Sequence, residues 1–302
     1  MSTNPAPFSG TAAAATPLGT LAERLERGEV IYYPVCPFAL PEGEDRKFLL
    51  EQQLGGRVHK NIGFDPAKQK VSGYLRSSSE QEHRLQKIFV HFSQSATEWL
   101  AGVLPRYAKS WRLDRVSFRP VEESTRKLRM TARNDLLHVD SFPSRPTNGH
   151  RILRLFANVN PTEPRVWITS DPFPKLFERF GKKVGLPGSG AGWMQDLVGG
   201  FVRLFRPGKA PRSPYDSFML RFHNFLKGNS EFQERCAKRL WSFPPGSAWM
   251  ALTDTCSHAA LRGRFALEHS YFVTPQSLAL PELAPAAVLE QACGTPVLLK
   301  AA

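Results

Sequence analysis

The stretch LLHVDSFPSRPTNGHRILRLFANVNP, residues 136–161, decides how the rest of the chain is read. Its first half sets His138 and Asp140 two positions apart, directly after an apolar run. Along an extended segment, side chains at i and i+2 project from one face, so the imidazole and the carboxylate point the same way. Its second half alternates, with Ile152, Arg154 and Phe156 on one face and Arg151, Leu153 and Leu155 on the other. Such alternation marks a strand, and the Asn148-Gly149 pair ahead of it marks a turn.

Working outward, short apolar segments recur between turn residues: PRVWITS, SAWMALTDTCSHAAL and RFALEHSYFV. This is the texture of an antiparallel barrel or jelly roll, so the expected fold class is a mostly β core with added helices. Between PRVWITS and SAWMALT, residues 172–240 read as a helical insertion with a Gly/Pro break at 185–192. Upstream, TLAERLERGEVIYYPV reads as a helix and a short strand, and residues 43–56 as a helix closed by Gly55-Gly56 in a left-handed cap. SSSEQEHRLQKIFVHFSQSATEWLAGVLP carries the clearest helical stripe, Leu85, Ile88, Phe89, Phe92, Trp99 and Leu100, with Pro105 beyond its end. RLDRVSFRPVE alternates like a strand. Residues 1–18 read as a disordered tail, 19–275 as one domain and 276–302 as a C-terminal tail rich in Ala, Leu and Pro.

Composition narrows the partners. The 302 residues carry a net charge of +13 with a pI near 9.9, which favours anionic ligands. Residues 175–239 hold thirteen Lys or Arg against five Asp or Glu. There is no helix-turn-helix signature, zinc-finger spacing or aromatic RNP-type strand, so nucleic acid is not an expected partner. No apolar run reaches the 18 or so residues of a membrane span, and the N-terminus lacks the basic and apolar regions of a signal peptide. Cys36, Cys236, Cys256 and Cys293 lie far apart with no CxxC pair, which suits a reducing, cytoplasmic setting.

A carboxylate facing a β-walled interior is costly unless it is paired, and a metal removes that conflict. Two histidines and one carboxylate form the facial ligand set of non-haem Fe(II) oxygenases. A lone H-x-D occurs by chance in many chains, so the third ligand matters. His258 and His269 are the two candidates, and His258, at the end of its strand as His138 is, is preferred. If the iron works with 2-oxoglutarate, a cation must hold that cosubstrate's distal carboxylate, and the planar fork of Arg suits it. Arg154 and Arg264 stand level for this task, with Arg262 third.

Residues 136–161, EPRVW after them and FPPGSAWMALTDTCSHAAL far downstream resemble the 3-deoxy-D-manno-oct-2-ulosonic acid (Kdo) 3-hydroxylases. The resemblance spans about residues 20–275, and the run HVDSFPSRP is its most specific part. It implies a double-stranded β-helix (jelly roll, cupin-like) with N-terminal helices and a helical insertion. It implies Fe(II), 2-oxoglutarate and O2 as the cofactor set, with His138, Asp140 and His258 as iron ligands. The implied reaction hydroxylates C3 of Kdo to give Ko, with succinate and CO2. The implied partner is a Kdo-containing lipid A precursor, whose anionic groups suit a basic chain. Arg145, and after it Arg133, are candidate contacts to a substrate carboxylate or phosphate. In GAGWMQDLVGGFVRLFRPGKAPR, apolar and basic residues mix, as in an interfacial helix at the inner membrane or an amphipathic helix packed on the barrel. Two other classes share some of these features: an oxygenase acting on a different anionic substrate, and a non-enzymatic basic module binding membrane or nucleic acid.

Overall fold

The structure, a computed structural model, describes residues 19–56, 61–123, 128–188 and 212–299. The expected tail at 1–18 and the mixed segment around 193–206 lie outside the described residues.

Ten strands form two antiparallel sheets: β1 (Ile31–Tyr33), β2 (Ile62–Asp65), β3 (Lys70–Ser72), β4 (Arg112–Arg119), β5 (Arg151–Asn158), β6 (Arg165–Pro172), β7 (Arg239–Phe243), β8 (Ala248–Leu252), β9 (Cys256–Arg262) and β10 (Ala266–Val273). The larger sheet runs β1-β8-β5-β10-β4-β2-β3 and the smaller β7-β6-β9. From β5 onward the chain crosses back and forth: β6 and β7 lie in the small sheet, β8 in the large, β9 in the small and β10 in the large.

The alternation read along 151–157 fixes which face each residue takes. Leu153, Leu155 and Ala157 join the main core, while Arg154 and Phe156 face the space between the sheets. That core is closed by the helix α3 (Ser79–Val103), preceded by α1 (Leu21–Glu26) and α2 (Gly43–Leu50) and followed by the short α4 (Pro105–Ala108). Ser78 caps α3 by accepting from Gln81 N, and Leu85, Ile88, Phe89, Phe92, Ala96 and Leu100 are buried along one side, as the stripe predicts. Burying such a stripe at about 25 cal/mol per Å² is what holds the helix to the sheet.

The helix expected over 43–56 ends at Leu50 instead. Leu54 forms an isolated bridge with Tyr74, and a Cβ on Gly55 would sit 2.3 Å from the Tyr74 carbonyl oxygen. Glycine is needed there for close backbone approach, and not as a helix cap.

Between the sheets lies a second, aromatic core. Phe243 and Trp249 stack with centroids 4.0 Å apart, and Trp167 packs edge-on to Trp249 at 5.7 Å. A third core forms beneath α5 (Phe173–Val184), α6 (Pro214–Gly228), α7 (Ser230–Arg235) and α8 (Pro285–Cys293). Ala286 and Leu289 of α8 are buried in it, so the segment after β10 is docked on the helices that interrupt the sheet. Among the described residues no helix is long and apolar enough to cross a membrane.

Candidate metal centre

His138 and His258, 120 positions apart in sequence, are paired directly. They form an isolated antiparallel bridge on the edge of β9, with His138 N donating to His258 O at 3.1 Å and His258 N to His138 O at 2.9 Å. Residues opposite one another in such a pair project to the same side. Asp140 is held two residues on by its amide, which donates to Thr253 O at 2.7 Å. Leu137 and Val139 alternate into the helical core, leaving His138 and Asp140 on the cavity side.

The three side chains converge. One ligand atom from each of His138, Asp140 and His258 lies within 4.8 Å of the others, and all three residues are buried. His138 Nε2 lies 3.5 Å from Asp140 Oδ1, and His258 Nε2 lies 4.0 Å from Asp140 Oδ2. The two rings are aimed by matching contacts: His138 Nδ1 meets Leu136 O at 2.6 Å, and His258 Nδ1 meets Cys256 O at 2.9 Å. A carbonyl demands N–H, so Nδ1 carries the proton and Nε2 keeps its lone pair toward the cavity. The His258 ring also stacks on Trp167 at 5.1 Å.

Electrostatics favour the ligand forms. Burial, and then the Lys227 charge, hold the His138 imidazole well below its usual range, and burial lowers that of His258. Burial alone would raise the Asp140 carboxyl, but Arg154 and the two imidazoles outweigh it and keep it well below the usual carboxylate range. Asp140 Oδ2 lies 3.2 Å from Arg154 Nε, yet neither atom has a hydrogen-bond partner, because the distance is met and the direction is not. Two lone-pair nitrogens and a misdirected buried carboxylate oxygen are a donor set that suits a divalent metal, and these three residues fit one.

The cavity around them, of about 240 Å³, grades from a half-open mouth to a sealed end. Thr131 and Pro143 at its rim are exposed, whereas Phe156, Arg165, Trp167 and Ala260 are buried. Arg154, on β5, lines it as parity predicts, and its Nη1 lies 3.0 Å from Glu268 Oε1. Arg119 also lines it, held by Glu268 at 2.7 Å and Glu123 at 3.1 Å.

The structure does not bring the other candidates here. Arg264 is an exposed turn residue stacked over Phe265 at 4.4 Å, and Arg262 is exposed too. The physical reason is the β9–β10 turn: Gly263 (φ 104) and Phe265 (φ 65) are both left-handed, so the strand parity that places Glu268 inward does not reach back to 264. Arg133 pairs with Asp135, and Arg145 with Asp114 and the Phe142 ring; neither lines the cavity. His269 is fully buried on the opposite face of β10 beside Tyr271 and stands outside the three-residue cluster.

Three cavity residues were missed in the sequence. Arg165 is 1% exposed; its Nη1 donates to Gly263 O at 2.6 Å, its Nη2 lies 3.7 Å from Glu123, and its Nε has no hydrogen-bond partner. Burial, and then Arg119, pull its guanidinium down to about 10. The signal was present, since strand parity puts Arg165 and Trp167 on one face of PRVWITS. His223 and Lys227 of α6 also line the cavity, four apart on one helix face. From sequence His223 belongs to the basic insertion, where it could meet phosphate but a plain surface role is preferred; it is buried, with Nδ1 on Val139 O at 2.7 Å and its ring 4.8 Å from that of His138.

Two antiparallel sheets enclosing a buried His-Asp-His cluster, with cations at the sealed end, define a non-haem iron oxygenase of the facial-triad class. The chain matches the 3-deoxy-D-manno-oct-2-ulosonic acid (Kdo) hydroxylase family over residues 10–296. Three crystal structures of the Kdo hydroxylase KdoO, a non-haem Fe(II) α-ketoglutarate-dependent dioxygenase, are similar across the chain. The complex with α-ketoglutarate and Fe(III) is 33% identical with a TM-score of 0.81, covering 92% of this chain and 90% of that one. The cobalt(II) complex is 31% identical with a TM-score of 0.83, covering 93% and 91%. The complex with succinate and Fe(III) is 32% identical with a TM-score of 0.80, covering 93% and 91%. No curated protein sequence matches the chain. The chain belongs to the Kdo hydroxylase family and is an enzyme of the Fe(II)-dependent dioxygenase class.

Proposed function

We propose that the chain adds one oxygen atom at C3 of Kdo carried on a lipid A precursor, giving Ko. The observation that carries this reading is the convergence of His138, Asp140 and His258 on one point in a chain of this family. Those three residues hold Fe(II). When bound, iron with 2-oxoglutarate and O2 supplies the oxidation, and the cosubstrate leaves as succinate and CO2.

The chain's own residues bind, orient and shield. Leu136 O and Cys256 O fix the proton on each Nδ1, so that both Nε2 atoms face Asp140. Arg154 keeps Asp140 ionised and ties it to Glu268. Arg165 takes the distal carboxylate of 2-oxoglutarate. It sits at the sealed end with the loosest counter-ion of the cavity arginines, and its Nε has no partner there. Phe156 and Trp167 exclude water around it.

The architecture supports a double-stranded β-helix, since four of the five steps from β5 to β10 cross between the two sheets, β6 to β7 being the exception. Residues 19–275 form one dioxygenase domain interrupted at about 172–240, because β7 after the interruption pairs along β6 before it. The net charge of +13 supports a peripheral contact of the chain with the cytoplasmic face of the inner membrane. Flotation with anionic liposomes tests that part, and no binding to them removes it.

Incubation with Fe(II), 2-oxoglutarate and Kdo-lipid A, read by mass spectrometry, is expected to show one added oxygen on the sugar. Succinate release without that addition would point to a different anionic substrate. Neither outcome, in protein that binds no metal, would overturn the reading.

A further inference from the structure

We propose that Lys227 and His223 form the subsite that grips the Kdo ring, with the ammonium pairing with the C1 carboxylate and the imidazole accepting the C4 hydroxyl. This rests on the Kdo hydroxylase reading and deepens it.

α6 buries Phe218, Met219, Phe222 and Leu226 in the helical core, as an amphipathic helix should. His223 and Lys227 depart from that pattern. Both are buried, 8% and 4% exposed, and both turn to the cavity. Burying a lysine and an imidazole on a helix that could carry apolar residues there costs stability, which a binding role offsets. His223 gives Nδ1–H to Val139 O at 2.7 Å, so Nε2 is left as an acceptor. Its ring lies edge-on to the His138 ring at 4.8 Å, immediately beside the metal ligands. Lys227 donates to Thr131 O at 3.3 Å, at the rim of the cavity. Lys227 thus reaches Thr131, an exposed residue of the cavity lining, whereas Arg165, Phe156 and Trp167 of the same lining are at most 2% exposed.

The chemistry of the sugar fits that placement. In a 3-deoxy-2-ulosonic acid, C3 is the methylene between the anomeric C2, which bears the carboxylate, and C4, which bears a hydroxyl. A cation and an acceptor one helical turn apart therefore bracket the carbon to be oxidised and hold it against the metal.

The test uses Kdo methyl glycoside and its C1 methyl ester, with Co(II)- and 2-oxoglutarate-loaded protein. Wild type is expected to bind the acid about ten- to a hundred-fold more tightly than the ester, the range for a lost charged hydrogen bond. Lys227→Met is expected to lose that preference and Lys227→Arg to restore much of it. Affinity for 2-oxoglutarate should stay within about two-fold in both, since Arg165 holds it. With Fe(II) and O2, His223→Leu is expected to release more than one succinate per hydroxylated Kdo, and His223→Gln fewer than His223→Leu. A Lys227→Met protein that still prefers the acid by the wild-type factor overturns the subsite. So does a wild type that binds acid and ester alike, a comparison that needs no variant to fold. A wild type that neither binds the glycoside nor hydroxylates Kdo-lipid A overturns the parent reading instead.

Discussion

His138 and His258 each place Nδ1 on a main-chain carbonyl two residues back, Leu136 O and Cys256 O. That shared device makes the ligand atoms a property of the local backbone and not of side-chain flexibility. Asp140→Ala is expected to weaken Co(II) binding by more than the roughly 10–100-fold that loss of an outer-shell partner costs, and to abolish succinate formation. Full activity in the purified variant would remove Asp140 from the ligand set. Arg165→Met is expected to raise the 2-oxoglutarate KM by about ten- to a hundred-fold, with Co(II) affinity little changed. An unchanged KM would return the clamp to Arg154. At this scale alternation made legible the face that a residue takes, as with His138, Asp140 and Arg154, which all line the cavity. It was not legible at Arg264, where two left-handed residues break the parity, nor at His223 and Lys227, where a helix face becomes a cavity wall only after a distant segment packs against it.

Among the elements, the β9–β10 turn couples backbone strain to the sealed end of the cavity. Gly263 sits at φ 104, and a Cβ there would lie 2.8 Å from Arg165 Cα. Its carbonyl accepts from Arg165 Nη1, and its amide donates to Glu122 at 2.8 Å. Gly263→Ala should therefore cost about 1–3 kcal/mol of stability and raise the 2-oxoglutarate KM as well. Thermal unfolding and a cosubstrate titration check both, and a stable variant with unaltered KM would separate the turn from the clamp. The helices were legible where an apolar stripe and a cap agreed, as in α3. The end of α2 was not, because Gly55 answers to the Tyr74 carbonyl across a bridge and not to its own helix.

Across the whole molecule, the alternating segments predicted an antiparallel core, and the two sheets are antiparallel throughout. The order in which the sheets stack was not readable, because pairing partners are set by long-range contacts. Burial keeps several imidazoles neutral: His269 is pushed down to about 3 and His223 to about 4, from an ordinary value of 6.5. Above pH 6.5 both states leave these rings unprotonated. Below it the unfolded chain binds protons that the native state refuses, so stability falls as pH drops from about 6.5 toward 4. Denaturant midpoints of metal-free protein between pH 7.5 and 5 should show this fall, and His269→Phe should make it shallower. A midpoint flat across that range would contradict the buried, neutral assignment.

The mutual backbone bridge between positions 138 and 258 has a further consequence during synthesis. A polypeptide that stops short of residue 258 owns at most one imidazole nitrogen and one carboxylate oxygen of the cluster, so the three-residue site is completed only once β9 has been made and has paired with position 138.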